Sequence, residues 1–284
     1  MTIADPNQLP APARRDRIRD LLEERGFVRV TEISEAFGVS RVTARTDLDT
    51  LVERGDAVRV HGGAMPVGTR AAPESSLEVA VIRSAIPKQR IAEVAAALVR
   101  SGQSVILDVG STGLAVARAL KARRELTDVV IITNGLTIAL ELESEVPRFT
   151  VIVTGGVLRP LQHSLVDPLG GLILAQVHAD IAFIGCNGID VEHGVTNVNL
   201  PEAAVKSRMV RAASQVIVLA DASKVGRTQL GRIGALDEFT GLITDSAADH
   251  TVVEDLRTAG LPVTVVPVND ADADDEETDV LPGH

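Results

Sequence analysis

The chain reads as two folded units: a small three-helix unit with a β-wing, then a larger α/β domain with a largely parallel sheet. Three observations predict this. Residues 14–55 carry three apolar stripes at helical spacing, separated by Gly26 and Gly38. A stretch rich in Ala, Pro, Gly and Ser follows, from 65 to 86. Beyond it, strand-length apolar runs alternate with helical segments, the pattern of a sheet covered on both faces. A chain of 284 residues has room for one small and one ordinary-sized domain.

In the first unit, residues 14–24 place Ile18, Leu21 and Leu22 on one helical face, and Gly26 closes the helix. Residues 28–30 are extended. Thr31 is the expected cap of a short second helix that buries Ile33, Ala36 and Phe37. Gly38 permits a tight turn, Ser40 caps the third helix, and Ala44, Leu48, Leu51 and Val52 form its buried stripe. Residues 57–60 read as a wing strand, with Gly62 and Gly63 turning the chain back.

Two helices joined by so tight a turn are a helix-turn-helix, whose second helix enters the major groove and reads base edges near its N-terminus. Here that helix displays Arg41, Val42, Arg45 and Thr46, which combine guanidinium forks for guanine or phosphate with an apolar surface for a thymine methyl. Ser40 and Thr43 add phosphate contacts. On the wing, Arg59 and His61 are placed for the DNA backbone or minor groove. Residues 1–70 hold eleven basic and eleven acidic side chains, so a positive footprint has to come from placement and not from net charge.

The second domain alternates in order: helix 87–100 opening at Pro87, strand 104–108, helix 113–123, strand 128–133, helix 136–144 and strand 149–154. Then come strand 180–185, helix 201–214, strand 215–220, strand 239–244, helix 247–258 and strand 263–267. Runs such as VVIIT and QVIVLA are apolar throughout, as strands of a doubly covered sheet are. Polar residues gather where strands end, at Asp108, Asn134, Gly155 and Gly156, Asn187 and Asp221. In open α/β sheets ligands bind beyond the carboxyl ends of the strands, so one pocket collects these groups. In DVGSTG at 108–113, small residues lead a strand into a helix, leaving free amides and the hydroxyls of Ser111 and Thr112 for a phosphate. Lys206, four residues after Glu202, and Lys224, three after Asp221, sit near strand ends where a phosphate needs countercharge.

Composition narrows the chemistry. No apolar run reaches the ~18–20 residues of a spanning helix, and the N-terminus lacks the apolar core of a signal peptide, so a cytoplasmic protein without membrane contact is expected. The single cysteine, Cys186, rules out an intrachain disulfide and reads as a small buried hydrophobe. Six scattered histidines show no metal-ligand spacing; no metal and no cofactor is expected. The absence of Trp and Tyr disfavours aromatic ligands and favours polar ones. Net charge is −11, and residues 269–284 carry seven acidic side chains with no basic one, the composition of a disordered tail. The expected boundaries are a flexible N-terminus at 1–13, the winged helix-turn-helix at 14–65, a linker at 66–86, the α/β domain at 87–268 and the acidic tail at 269–284.

The run VSRVTARTDLDTLVERG followed by RVHGGA resembles the winged helix of the DeoR family of bacterial transcription regulators. The shared residues are Val39, Ser40, Thr43, Arg45, Asp47, Leu48, Leu51, Gly55, Arg59, His61, Gly62, Gly63 and Ala64. Ala44 stands where the family has isoleucine, and Thr46 where it has the second arginine of a pair. From about 74 to 250 the chain is similar to that family's sugar-phosphate-sensing domain, through Glu74, Arg83, DVGSTG, TNG at 133–135, TGG at 154–156, IGCNGID at 184–190, Glu202 with Lys206, LADASK at 219–224 and ITD at 243–245. The resemblance implies a ribose-5-phosphate isomerase-like fold for this domain. It also implies an effector pocket made by Asp108, Ser111, Thr112, Asn134, Gly156, Lys206, Asp221 and Lys224. Asp108 and Asn134 would take sugar hydroxyls, and Ser111, Thr112 and the lysines the phosphate.

The expected function is a DNA-binding transcription regulator, a repressor of a carbohydrate-metabolism operon that a phosphorylated sugar or related metabolite relieves. Its partners would be a double-stranded DNA operator, that effector and further copies of itself, because a palindrome is read by two dyad-related winged helices. The alternative is a sugar-phosphate isomerase with an accessory N-terminal domain, using Asp108 or Asp221 as general base. Asn187, which cannot accept a proton, and the DNA-reading unit speak against it.

Overall fold

The computed structural model describes residues 9–25, 28–60, 63–66 and 76–268. The chain forms two compact units, Met1–Ser75 and Ser76–His284.

In the first unit, α1 (Ala11–Arg25) starts three residues before the expected position. Pro10 precedes it and Pro12 falls in its first turn, where a missing amide costs nothing; residues 11–13 are therefore helical and not part of a flexible N-terminus. The short strand β1 (Val28–Arg29) leads into α2 (Val30–Phe37). Thr31 is not its cap: the Glu32 carboxylate takes the Arg29 amide at 2.9 Å and closes that end. Ala36 is exposed, and Val30 joins Ile33 and Phe37 in the core instead. Gly38 ends the helix at φ 61°. α3 (Arg41–Glu53) is capped by Ser40, whose hydroxyl accepts the Thr43 amide at 3.1 Å. β2 (Ala57–Val60) and β3 (Gly63–Pro66) form the antiparallel wing, with β1 pairing on the other side of β3.

Ile18, Leu22, Ile33, Phe37, Ala44, Leu48 and Leu51 make the core that joins the three helices. One buried charge belongs to it. Asp47, only 1 % exposed, receives the Arg14 guanidinium at 2.6 Å and that of Arg15 at 2.9 Å, so α3 is fastened to α1 through both its oxygens. Its position in the sequence foretells the burial, since it lies within the stripe of Ala44, Leu48 and Leu51.

The second unit opens inside the segment expected to be a linker. Ser76 caps α4 (Leu77–Ile82), Leu77 is buried, and α5 (Ala85–Ala97) starts two residues ahead of Pro87, which is accommodated in its first turn. The central sheet contains β4 (Ser104–Leu107), β5 (Val129–Thr133), β6 (Phe149–Val153), β9 (Ala179–Gly185), β12 (Ala213–Leu219), β14 (Gly241–Asp245) and β15 (Val263–Val266). These lie in the order β15-β14-β12-β9-β4-β5-β6, and all are parallel. α6 (Ser111–Ala122) and α7 (Leu136–Leu142) join α5 on one face, around Ile91, Leu107, Leu120, Ile138 and Phe183. α9 (Leu200–Arg211) and α10 (His250–Thr258) cover the other, around Ile106, Ile184, Met209, Val218 and Leu256. The alternation of those strand residues between two cores is the period of 2 that a doubly covered strand requires.

Three short pieces were not expected. They are the hairpin β7 (Val157–Arg159) with β8 (Ser164–Val166), the six-residue α8 (Leu169–Leu174), and a small sheet of β10 (Gly188–Asp190), β11 (Gly194–Asn197) and β13 (Gly231–Gly234). His61 and the tail at 269–284 lie outside the described residues.

The strand order reverses between β4 and β9, so the crevice of this sheet opens where the loops after those two strands part. A close approach shapes that point. A Cβ on Gly113, in the first turn of α6, would stand 2.1 Å from the Asp108 carbonyl oxygen. Gly113→Ala should therefore force the helix off the strand end and cost about 1–3 kcal/mol; urea unfolding of the two proteins would measure it, and an unchanged midpoint would refute it.

Candidate functional site

The first unit presents a readable face. Arg41, Val42, Arg45 and Thr46 are exposed along the start of α3, Val42 to 71 %, while the opposite face of the helix is buried. Ser40 and Thr43 stand at the N-terminus, their hydroxyls 2.9 Å apart. The Thr46 hydroxyl is turned back to the Val42 carbonyl at 3.1 Å, so what the residue offers outward is its methyl. Arg59 crosses from the wing to Asp49 of α3 at 3.4 Å and remains about one-third exposed. Free amides at a helix N-terminus, two exposed guanidinium groups and an apolar tip together suit phosphate and a major-groove edge.

In the second unit Asp108 and Lys206 meet at the strand-order reversal, Asn134 is tied to the loop after β4, and Asp221 stands with Lys224 on a turn beyond β12. Asp108 follows β4 and is 1 % exposed; its Oδ2 accepts the Gly185 amide, at the end of β9, at 3.0 Å. Lys206 comes from α9, buried, and donates to the same oxygen at 2.6 Å and to the Gly185 carbonyl at 2.9 Å. The other carboxylate oxygen, Oδ1, is buried and has no partner among the described residues. Burial pushes the Asp108 carboxyl up to about 6, against the pull of Lys206. Burial works against the Lys206 ammonium as well, but Asp108 and Glu202 outweigh it and hold its pKa above the ordinary lysine value.

Ser111 and Thr112, half-buried, form the first turn of α6 just beyond. Asn134 is buried, and backbone engages both of its amide atoms: Oδ1 takes the Val109 amide at 3.0 Å and Nδ2 donates to the Leu165 carbonyl at 3.3 Å. Its side chain thus ties the loop after β4 to the β8 strand. Gly156, at φ 130°, lies so close to β8 that a Cβ would sit 2.1 Å from the Val166 carbonyl oxygen. Asn187 accepts the Val198 amide at 3.0 Å and fastens the loop after β11.

Asp221 caps a short turn that carries Lys224. Burial would raise its pKa, but Lys224, the Ser223 hydroxyl and Lys88 overcome it and hold the carboxyl below the usual range.

Lys88 was not foreseen. It projects from α5 with 6 % exposure, donates to the carbonyls of Ala80 at 2.7 Å and Arg83 at 2.6 Å, and stands 4.0 Å from Asp221. Burial brings its pKa down to about 8. The sequence signal was present: 88, 91, 92 and 95 share one helical face, and the other three are core residues. Cys186 is half-buried against the core, and burial raises its thiol to about 12, the state of an unreactive packing residue.

The site therefore combines buried ammonium groups, a carboxylate with one open oxygen, and hydroxyls at a helix N-terminus. Such a set is chemically suited to an anion that also bears hydroxyl groups. Among the described residues, no group of three or more His, Cys, Asp or Glu is placed to hold a metal, and no helix is long and apolar enough to cross a membrane.

Comparison with known proteins agrees with both units. The profile of the DeoR-like helix-turn-helix domain matches residues 14–69, and that of the DeoR C terminal sensor domain matches 84–246. The HTH-type transcriptional regulator GlpR of Haloferax volcanii is 35 % identical over 90 % of this chain and 97 % of its own length. The HTH-type transcriptional regulator GolR of Listeria innocua is 33 % identical over 89 % and 97 %. The transcriptional repressor AccR of Agrobacterium fabrum is 32 % identical over 85 % and 92 %. A ribose 5-phosphate isomerase A structure from Methanocaldococcus jannaschii overlaps 48 % of this chain and 52 % of that one, with 21 % identity and a TM-score of 0.36. That overlap carries no part of the assignment; the fold rests on the strand order above. The full-length relatives are regulators, which sets the isomerase alternative aside. The chain belongs to the DeoR family: it is a DNA-binding transcription regulator with an N-terminal helix-turn-helix unit and a C-terminal sensor domain for a small-molecule effector.

Proposed function

We propose that the protein is a repressor of a carbohydrate-metabolism operon, that it binds a palindromic operator as a homo-oligomer, and that a phosphorylated sugar or closely related metabolite releases it. The observation that carries the effector reading is the buried, unpartnered Oδ1 of Asp108 at the strand-order reversal. An unsatisfied carboxylate oxygen in such a place is costly, and a ligand hydroxyl donating to it removes that cost. Ser111, Thr112 and the α6 N-terminus, with Lys206, Lys224 and Lys88, supply the phosphate side; Asp221 orients the lysines; Asn134 and Gly156 shape the loops around the ligand. Ser40, Arg41, Val42, Thr43, Arg45, Thr46, Arg59 and His61 meet DNA. Relatives named as repressors support the sign of the regulation, and linkage requires operator and effector to weaken each other by the same factor.

The experiment is fluorescence anisotropy on DNA upstream of the protein's own gene, titrated with and without a panel of sugar phosphates. Arg45→Ala should weaken operator binding tenfold or more and leave effector affinity within twofold. Lys224→Ala should do the reverse. Loss of both functions in either variant, or DNA binding that no sugar phosphate alters, would reject the assignment.

A further inference from the structure

α4 is the first element of the second unit, so whatever passes along the chain from the sensor to the DNA-reading unit passes through it. Six residues do not make a stable helix on their own. Ser76 caps it, Leu77 is its buried side chain, and Ile82 at its other end is 50 % exposed. Between α4 and α5 the backbone turns at Ser84 with φ 51°, a left-handed conformation that a residue with a Cβ holds only against strain. A helix so lightly packed and so joined has two accessible states, docked and released, and the polar contacts at its ends decide between them.

Both ends are held by residues that lead back to the proposed effector site. At the C-terminal end the Lys88 ammonium donates to the Ala80 and Arg83 carbonyls at 2.7 and 2.6 Å while standing 4.0 Å from Asp221. Val81 of α4, Lys88 and Ser111 line one cavity of about 630 Å³, so the space open to an anion at Ser111 is bounded by α4 itself. At the N-terminal end the Leu77 amide donates to the Leu161 carbonyl at 2.9 Å and Glu78 faces His163 at 3.3 Å, both on the connection between β7 and β8. That hairpin is fastened in turn to buried Glu202, by Arg159 from β7 and by the Ser164 hydroxyl from β8 at 2.7 Å. Glu202 precedes Lys206 by one turn of α9 and helps to hold its charge.

An ammonium has three N–H groups, and Lys88 gives two of them to α4. A phosphate offers charged acceptors, which outcompete neutral carbonyls for the same protons. We propose that α4 is a latch: docked, it fixes the point at which the chain leaves the sensor for the DNA-reading unit, and a phosphate that takes the Lys88 ammonium releases it. Release loosens that attachment and lowers operator affinity. Docking and phosphate binding then compete, so whatever loosens α4 raises the affinity for phosphate. This names the regulation of the effector site and rests on that site's taking a phosphate.

Hydrogen exchange of the α4 amides in the full chain, in inorganic phosphate against chloride of equal ionic strength, tests the latch without DNA. Phosphate should speed exchange across residues 78–83 about fivefold or more and leave the β4 and β5 amides unchanged. Leu77→Ala, which removes the buried anchor, should speed it in chloride as well, and the phosphate dissociation constant, read by titration calorimetry, should fall about threefold or more. Glu78→Ala, on the exposed flank of the same contact, should do both to a smaller degree. A helix that merely supports the fold would weaken phosphate binding when loosened, whereas the latch strengthens it. A circular dichroism melt shows whether each variant is folded, and Glu78→Ala carries the test if Leu77→Ala is not. Phosphate that slows α4 exchange or leaves it alone, or a folded variant whose phosphate affinity is unchanged or weaker, would overturn the proposal. If the latch is right and the regulatory reading wrong, exchange and calorimetry respond as stated while operator DNA is not bound. If the regulatory reading is right and the latch wrong, sugar phosphates release the operator with no change in α4 exchange.

Discussion

Lys206→Met should abolish the response to effector and leave the sensor domain dependent on acid for its stability. The substitution removes the ammonium 2.6 Å from Asp108 and leaves a fully enclosed carboxyl with the Gly185 amide as its remaining donor. An ionised group so placed would cost several kcal/mol, and the carboxyl protonates instead. Its pKa is already raised by burial to about 6 beside the lysine, and without the lysine it rises further. The folded state then keeps a proton that the unfolded state releases above the ordinary value of 3.8. Stability is accordingly present at low pH and lost as pH rises, and at about 1.4 kcal/mol per pH unit the deficit at pH 7 is limited to about 4 kcal/mol. Urea unfolding of variant and parent at pH 4.5 and pH 7.5 checks it: the gap should widen with pH. Lys206→Met with Asp108→Asn should regain stability at pH 7.5 without regaining effector binding. A gap that is constant with pH would show that the lysine matters only through packing.

Asp47→Ala should remove operator binding while effector affinity stays as it was. Asp47 is a core residue of the first unit, and its loss leaves Arg14 and Arg15 facing each other across an emptied site. Breaking a buried pair by deleting one partner costs about 3–5 kcal/mol, and the low end applies because both guanidinium groups lie near enough to the surface to turn toward water. Even about 3 kcal/mol is most of what a domain of this size holds. In calorimetry the transition of the first unit should fall or vanish while that of the sensor domain stays put. Asp47→Asn, which keeps an acceptor for one arginine, should lie between. Unchanged DNA affinity in a folded Asp47→Ala protein would mean that α1 and α3 are held by the apolar core alone.

Where a local pattern determines a local outcome, the sequence was legible. The α3 stripe at Ala44, Leu48 and Leu51, the Ser40 cap and the apolar runs of the central sheet follow from periodicity and capping chemistry, and the structure has each, though Val52 at the end of the stripe is only half-buried. The candidate effector residues were chosen by their position at strand ends and by the family resemblance. What the sequence left hidden depends on contacts distant along the chain. α4 is six residues in a stretch whose composition says linker, and Ser76 and the burial of Leu77 make it a helix. The β7–β8 hairpin and the β10–β11–β13 sheet have strands of three or four residues, too short for alternation to show. Asn134 reads as a polar group at a strand end, and only the arrival of the β8 backbone shows what its amide holds. Lys88 is apparent once its helical face is known to be a core face.

The pairing of β4 with β9 has a consequence for how the sensor comes into being. Asp108 and Gly185, joined by one hydrogen bond, are 77 residues apart in the chain, whereas β4, β5 and β6 follow one another through single helices. Closing so long a loop carries an entropic debt that local pairings escape, and non-local parallel pairings form slowly. The two halves of the sheet can each gather their own strands before they meet, but the proposed effector site has residues from both and would exist only along their seam. A chain in which the halves have collapsed without joining has most of its secondary structure and no sensor. Recovery of effector binding after denaturation is thus a stricter measure of native folding in this protein than recovery of helix or sheet signal.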